Sequence, residues 1–434
     1  SMICEKKTRR KWVGSCLKLN STHNTPHHEQ TKHSPNTHNT INTSQVAKKL
    51  GAMIVFMEHR FFGESMPFGD AKMSDIISTK RLGVLSVEQA LADYADLISS
   101  IVNNHSAWAC PTITFGGSLA GTLSSLMRVR YPHIVDIAWA SSAPLLGYPH
   151  LRSQFLWRKQ VTDNFETFSP GCPTLVRKGF ASLINTTNTN IVKAINVCKG
   201  HNYTWVDIQS IAWGIFEGDG EFCYPPKNSQ IKQHCEVLAN ADKNSRPGQE
   251  YTIFTKLIQE SGQYWSGKDN CLNISAFYAG QTTPGGIGWS YLADTEIIHP
   301  IGANNVTDMF PPFNWSLTDT AYWAKQTFNV TPDANHMPRQ FGMEHMSNFK
   351  RVNSRIMFVY GLRDPWHTLG VGTVNLTTSL PVITIAEGSH CSDCVLPNSN
   401  SDTASMTAAR KQMLLQLQMW VSDVKHEKRS TIDY

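Results

Sequence analysis

The chain has 434 residues, 41% of them apolar and 17% charged, a composition that can bury a large core and is not that of a disordered chain. Its formal charge of +5, from 39 basic and 34 acidic residues, is scattered and lacks the concentrated basic face that nucleic acid requires. No apolar run approaches the roughly 18 residues of a membrane span, so the chain reads as soluble, with neither nucleic acid nor membrane as partner. Its length fits about three units of 150 residues or one large α/β domain carrying an insertion.

The first 45 residues stand apart. Met2 to Leu19 carries Lys6, Lys7, Arg9, Arg10 and Lys11, with no apolar stretch long enough for a signal-peptide core. Asn20 to Ser44 is Ser, Thr, Asn and His, too polar to offset its ordering entropy, and is expected to be disordered. His23, His27, His28, His33 and His38 lack Cys or carboxylate partners at ligand spacing, so no metal site is expected there.

From Val46 the pattern changes. Ala52 to Met57 is a continuous apolar run of strand length, as for a strand covered on both faces. Ser86-x-x-Gln89 forms a capping box ahead of a helical stripe of Ala90, Leu91, Tyr94, Leu97, Ile98 and Ile101. Thr112 to Phe115 reads as a strand, Leu119 to Arg130 as the helix after it and Asp136 to Ala140 as the next strand. Ile356 to Tyr360 and Val382 to Ile385 are two more strands, and Met406 to Val421 closes as an amphipathic helix. Strands alternating with helices predict an α/β fold with a parallel, doubly wound sheet. The rhythm is lost between about Tyr148 and Gly280, a stretch holding Cys172, Cys198, Cys223, Cys235 and Cys271. It reads as an inserted helical cap containing disulfides, with the pairing open. The division is 1–45 as an atypical segment, 46–147 and 281–434 as the two parts of the core, and 148–280 as the cap.

Ten cysteines at irregular spacings fit no zinc pattern. Asn-x-Ser/Thr acceptors lie at Asn104, Asn185, Asn202, Asn273, Asn305, Asn314, Asn329 and Asn375, with two more at Asn20 and Asn42. Together they predict a secreted or lysosomal glycoprotein with disulfides.

Phe115-Gly116-Gly117-Ser118-Leu119-Ala120-Gly121 lies at a strand-to-helix junction and matches the G-x-S-x-G elbow, with Ala120 in place of its last glycine. A nucleophilic serine needs a base, and the base an orienting carboxylate. Asp364 sits in the turn after the Ile356 to Tyr360 strand and His390 in the turn after the Val382 to Ile385 strand, giving the order Ser, Asp, His, each after its own strand. His367, Asp393 and His345 fit these placements less well. The chemistry calls for no cofactor.

Four stretches carry a family resemblance. They are Val55 to Gly69 (VFMEHRFFGESMPFG), Phe115 to Gly121 continuing through Tyr131-Pro132-His133 to Ala140-Ser141-Ser142-Ala143-Pro144, Gly361 to Trp366 (GLRDPW), and Ile385 to His390 (IAEGSH). They resemble the serine peptidase family of lysosomal Pro-X carboxypeptidase, dipeptidyl peptidase II and thymus-specific serine protease. The resemblance implies an α/β-hydrolase core with a helical cap, a Ser118, Asp364, His390 triad, and cleavage of peptides next to proline or small residues through an acyl-enzyme. It makes the Leu119 backbone N–H an oxyanion donor, and Gly117, Phe61, Phe62 and Trp366 candidates for the oxyanion or substrate contacts.

The departures are specific. Leu119 replaces a family Tyr and Ala120 a Gly, Phe61 and Phe62 replace a Tyr pair, and Cys391 and Cys394 are new, either as a local disulfide or paired elsewhere. Family members also carry an upstream strand, between the Ala52 and Thr112 strands, that nothing in residues 1–45 resembles; Lys11 to Leu19 is a poor substitute. The N-terminal strands are therefore expected to be missing or replaced. The rival readings are a silent or truncated member that at most binds peptides, and a lipase or esterase on the same fold. The choice between carboxypeptidase and dipeptidyl aminopeptidase stays open, as does a homodimer.

Overall fold

The computed structural model describes residues 2–4, 42–69, 73–78, 81–184, 195–198, 204–246, 252–261, 265–266, 271–273, 283–372, 374 and 376–432. Six strands form the central sheet: β1 Met2–Cys4, β2 Ala52–Ile54, β3 Thr112–Gly117, β4 Ile137–Ser141, β5 Ile356–Gly361 and β6 Val382–Ile385, in the order β2-β1-β3-β4-β5-β6. β3 to β6 run parallel. β4 and β5 are buried along their whole length, which is why their sequences are continuous apolar runs rather than alternating ones.

Successive residues of these strands serve two different cores. Ala138, Ala140, Phe358 and Tyr360 face one side, where Leu91 and Ile98 of helix α2 (Val87–Asn104) and Leu123 and Met127 of helix α3 (Leu119–Arg130) cover them. Ile137, Trp139, Met357 and Val359 face the other side, against Val46 of helix α1 (Asn42–Leu50) and Met413, Leu417 and Trp420 of the long C-terminal helix Ala404–Ile432. Ser86 caps α2, its Oγ accepting from Gln89 N at 3.2 Å.

The place between β2 and β3 is filled. Met2–Cys4 pairs antiparallel with both neighbours, Met2 opposite Ile54 and Ile113. Three residues among basic ones give no readable strand signal, so this element replaces the upstream strand that sequence reasoning found wanting. β2 ends at Ile54, short of the Met57 expected from the apolar run. Lys11 to Leu19 lies outside the described residues. Helix α1 starts at Asn42, inside the stretch expected to be disordered; the Asn42 side chain is 4% exposed and donates to the Asp393 carbonyl at 3.0 Å. That contact leaves the Asn42 amide unavailable to a glycan in the folded chain. Among the other acceptors Asn104, Asn305, Asn314 and Asn329 are exposed and Asn273 is half-buried, while Asn20, Asn185, Asn202 and Asn375 lie outside the described residues.

Between β4 and β5 the chain builds helices α4 (Leu156–Phe168), α5 (Cys172–Ile184), α6 (Trp205–Glu221), α7 (Gln230–Asn244) and α8 (Thr252–Ser261). Val161, Phe165, Phe180, Phe216, Leu238 and Leu257 meet in one apolar cluster that continues to Trp366 and Leu369, in the turn following β5. Cys172 is bonded to Cys235, joining α5 to α7, and Cys198 to Cys271. Cys223 is a buried free thiol.

The Cys172–Cys235 bond spans a sequence separation of 63 residues, and the chain-entropy argument assigns about 4 kcal/mol to closing such a loop. The double substitution Cys172→Ser, Cys235→Ser is expected to lower the unfolding midpoint and to speed proteolysis within α5 to α7. Calorimetry and limited proteolysis check this, and an unchanged midpoint contradicts it.

Candidate active site

Ser118 stands alone between the last residue of β3 and the first of α3, with φ 60° and ψ −130°. An L-residue held there costs on the order of 1–3 kcal/mol. Neighbouring hydrogen bonds hold it: Ser118 N donates to Ser141 O at 2.9 Å, and Gly121 N and Thr122 N donate to Ser118 O at 2.9 and 3.1 Å. The packing around this turn has no spare volume. A Cβ on Gly116 would lie 2.0 Å from Ala120 O, and one on Gly121 2.5 Å from Ser141 O. Helix and strand thus approach through Gly116 and Gly121, while Ala120, where the elbow pattern has Gly, is only half-buried. Leu119 opens α3, so its N–H belongs to the first turn, where a helix supplies no acceptor of its own.

Asp364 and His390 are brought together by the turns after β5 and β6. Arg363 N donates to Gly388 O at 2.9 Å, and a Cβ on Gly361 would lie 2.2 Å from that same oxygen. The two turns touch because neither glycine has a side chain. Asp364 is fully buried (0% exposed) and caps the short helix Pro365–Leu369; its Oδ1 accepts from Trp366 N at 2.9 Å and lies 3.0 Å from His390 Nδ1. With the carboxylate as acceptor, Nδ1 carries the proton and Nε2 is left free to act as a base.

The histidine turn is braced from below. Asp393, buried, takes the Ser141 hydroxyl at 2.5 Å, and Ser142 Oγ accepts from Cys391 N at 2.9 Å. Cys391 and Cys394 are free thiols rather than a local disulfide. A Cβ on Gly117 would lie 2.8 Å from Cys391 Sγ and 3.2 Å from Cys394 Sγ, so both sulfurs pack on the residue before Ser118. Contact with Cys394 and burial push the Cys391 thiol well up.

The helical cap contributes a residue that sequence reasoning missed. Glu221, the last residue of α6 and 4% exposed, has Oε1 2.8 Å from Trp366 Nε1 and 3.6 Å from His390 Nε2. Nothing in its local sequence marks it, since the contact is made by a cap helix folding back on the core. Trp366 packs its indole against the rings of His390 (6.1 Å), Trp157 (5.5 Å) and His299 (5.6 Å), and Phe222 meets His390 edge-on at 5.8 Å. Burial lowers the pKa of His299 to about 4, so it is neutral.

Phe61 departs from its expected role. It is 0% exposed in the main core and offers a substrate no surface. Phe62 is half-buried and sits 3.6 Å from where a Cβ on Gly285 or Gly288 would stand, at the start of the Pro284–Thr295 helix. The surrounding motif builds a turn: Glu58 accepts from Glu64 N, Ser65 N and Ser65 Oγ, while Arg60 clamps Asp93 of α2 with 2.6 and 2.8 Å contacts.

Burial alone would lower the pKa of His390. The Asp364 charge and hydrogen bond, followed by Glu221 and Asp393, outweigh it and hold the value above the ordinary 6.5.

The parallel sheet, the strand-to-helix turn at Ser118 and the inserted helices define an α/β-hydrolase. The chain belongs to the family described as Serine carboxypeptidase S28, whose profile matches residues 28–413, and is a serine-type peptidase. It is 31% identical over 398 residues to a protein named lysosomal Pro-X carboxypeptidase of Homo sapiens, covering 87% of this chain and 76% of that one. The same shares and identity hold for the protein of that name in Pongo abelii. A thymus-specific serine protease of Mus musculus is 25% identical over 410 residues, covering 88% of this chain and 76% of its own.

Gly121→Ala is expected to destabilise the chain by about 1–3 kcal/mol, because the backbone oxygen of Ser141 cannot move aside. Ala120→Gly is expected to cost no more than about 1 kcal/mol. Thermal unfolding of the two variants checks the assignment, and the reverse ranking contradicts it.

Proposed function

We propose that the chain is a serine exopeptidase cleaving peptides next to proline, with Ser118 as nucleophile, His390 as general base and Asp364 as its orienting partner. Ser118 Oγ adds to the scissile carbonyl while Nε2 of His390 takes its proton. The Leu119 N–H stabilises the developing oxyanion, aided by the positive end of α3. The imidazolium then protonates the leaving amine, and water repeats the sequence on the acyl-enzyme. The observation that carries this reading is the buried 3.0 Å contact of His390 Nδ1 with Asp364, combined with the left-handed backbone of Ser118. A protein without catalysis gains nothing from that strained serine, which weighs against the silent reading.

The proline preference rests on the names of the relatives and on the exposed ring of Phe222, which meets His390 edge-on and suits a flat apolar ring. The Cys172–Cys235 and Cys198–Cys271 disulfides, exposed Asn-x-Ser/Thr acceptors and relatives named as lysosomal favour the secretory route, ending outside the cell or in the lysosome.

A fluorophosphonate is expected to modify Ser118, as mapped by peptide mass spectrometry. Ser118→Ala is expected to lose turnover of a proline-containing peptide by about 10⁴-fold or more with its unfolding midpoint retained. Wild-type turnover in that variant would overturn the assignment. The base works only when neutral, so its raised pKa places the acid limb of kcat/KM above pH 6.5, with the rate rising as pH rises through it. A limb at or below 6.5 contradicts this.

A further inference from the structure

We propose that Glu221 is a positioning residue for His390, its carboxylate acting on the Nε2 edge of the imidazole as Asp364 acts on the Nδ1 edge. The inference rests on the reading of His390 as general base. Glu221 is tied to the histidine twice: its main-chain oxygen accepts from His390 N at 3.0 Å, and its Oε1 stands 3.6 Å from Nε2. At 3.6 Å the carboxylate lies beyond a hydrogen bond with Nε2. It is still close enough for a charge interaction that burial leaves poorly screened. A carboxylate facing the lone pair of neutral Nε2 is unfavourable, and one facing the N–H of imidazolium is favourable. Glu221 therefore makes His390 a stronger base and stabilises the imidazolium formed as Ser118 attacks, at the expense of reactivity in acid. The Trp366 indole N–H, 2.8 Å from the same oxygen, keeps the carboxylate in place.

The other charged groups around His390 are accounted for. Asp364 holds Nδ1. Asp393 approaches from the turn below, engaged by the Ser141 hydroxyl and near the Arg410 charge. The guanidinium of Arg363 lies over the Phe168 ring. Trp366 and Phe222 are neutral, and the raised pKa of the Cys391 thiol keeps it protonated. On the Nε2 side Glu221 is thus the group whose charge can be removed without touching the orienting pair.

The test follows the rate of Ser118 modification by a fluorophosphonate, and kcat/KM for a proline-containing peptide, from pH 5 to 9 on the full chain. Glu221→Gln keeps an acceptor for Trp366 Nε1 but removes the charge. It is expected to move the acid limb down by about one pH unit and to lower the plateau kcat several-fold with KM little changed. Glu221→Met removes the charge by another route and is expected to move the limb the same way, so whichever variant retains the wild-type melting behaviour decides the question. Glu221→Asp keeps the charge and is expected to hold the limb above that of Glu221→Gln. A purely structural role would lower rates without moving the limb, and limbs coincident with wild type in folded, labelled variants overturn the inference alone. Absence of labelling on the wild-type chain removes the base itself, and both conclusions with it.

Discussion

The backbone of Ser118 is the constraint around which the rest is arranged. A left-handed serine is stable only where neighbouring bonds leave it no alternative, and here they come from strand β4 and from the first turn of α3. Ser141 is central to this. Its main-chain oxygen accepts from the Ser118 N–H and limits residue 121 to glycine, while its hydroxyl donates to Asp393 in the histidine turn. One residue at the end of β4 thereby sets the height of the serine and of the histidine turn relative to the same sheet edge.

The cap is part of this arrangement rather than a cover laid over it. Asn164 of α4, fully buried, donates from one amide to both Gly220 O and Arg363 O, linking two cap helices to the aspartate turn. Tyr224 N donates to Ser389 Oγ, and His390 N to Glu221 O, linking the end of α6 to the histidine turn. A cap shift therefore carries both turns with it, because buried polar groups that lose partners cost about as much as the shift could gain. The Cys172–Cys235 bond holds two cap helices, α5 and α7, to one another.

What was legible in the sequence is what physics writes locally. Strands buried along their whole length appear as near-continuous apolar runs, so β4 and β5 are legible to within a residue, and Ser86 announces α2. Ser118, Asp364 and His390 could be placed because each follows a strand directly. What was not legible depends on distant pairing. Met2–Cys4 becomes a strand only because two edges need a partner. The pairing of Cys172 with Cys235 follows from helix packing, not spacing. Glu221 has no signature because its neighbours His390 and Trp366 come from other parts of the chain. Phe61, suggested by a motif, turned out to be a core ring whose motif partners build a turn.

The contact between Gly361 and Gly388 has a consequence for how this chain can change over time. Because each turn occupies the space that a methyl group on the other would need, the two positions are not independent targets of mutation. A methyl group at residue 361 would stand 2.2 Å from the Gly388 backbone oxygen and push the carboxylate and imidazole turns apart with no side-chain rearrangement to relieve it, whereas one at residue 388 would first meet Ser392 Oγ at 2.9 Å and then Gly361 Cα at 3.0 Å. Compensation has to come from lengthening or re-routing a whole turn, a rare multi-residue event. Divergence in this enzyme is thereby steered to the cap and the surface, while the meeting point of these two turns stays fixed as a pair.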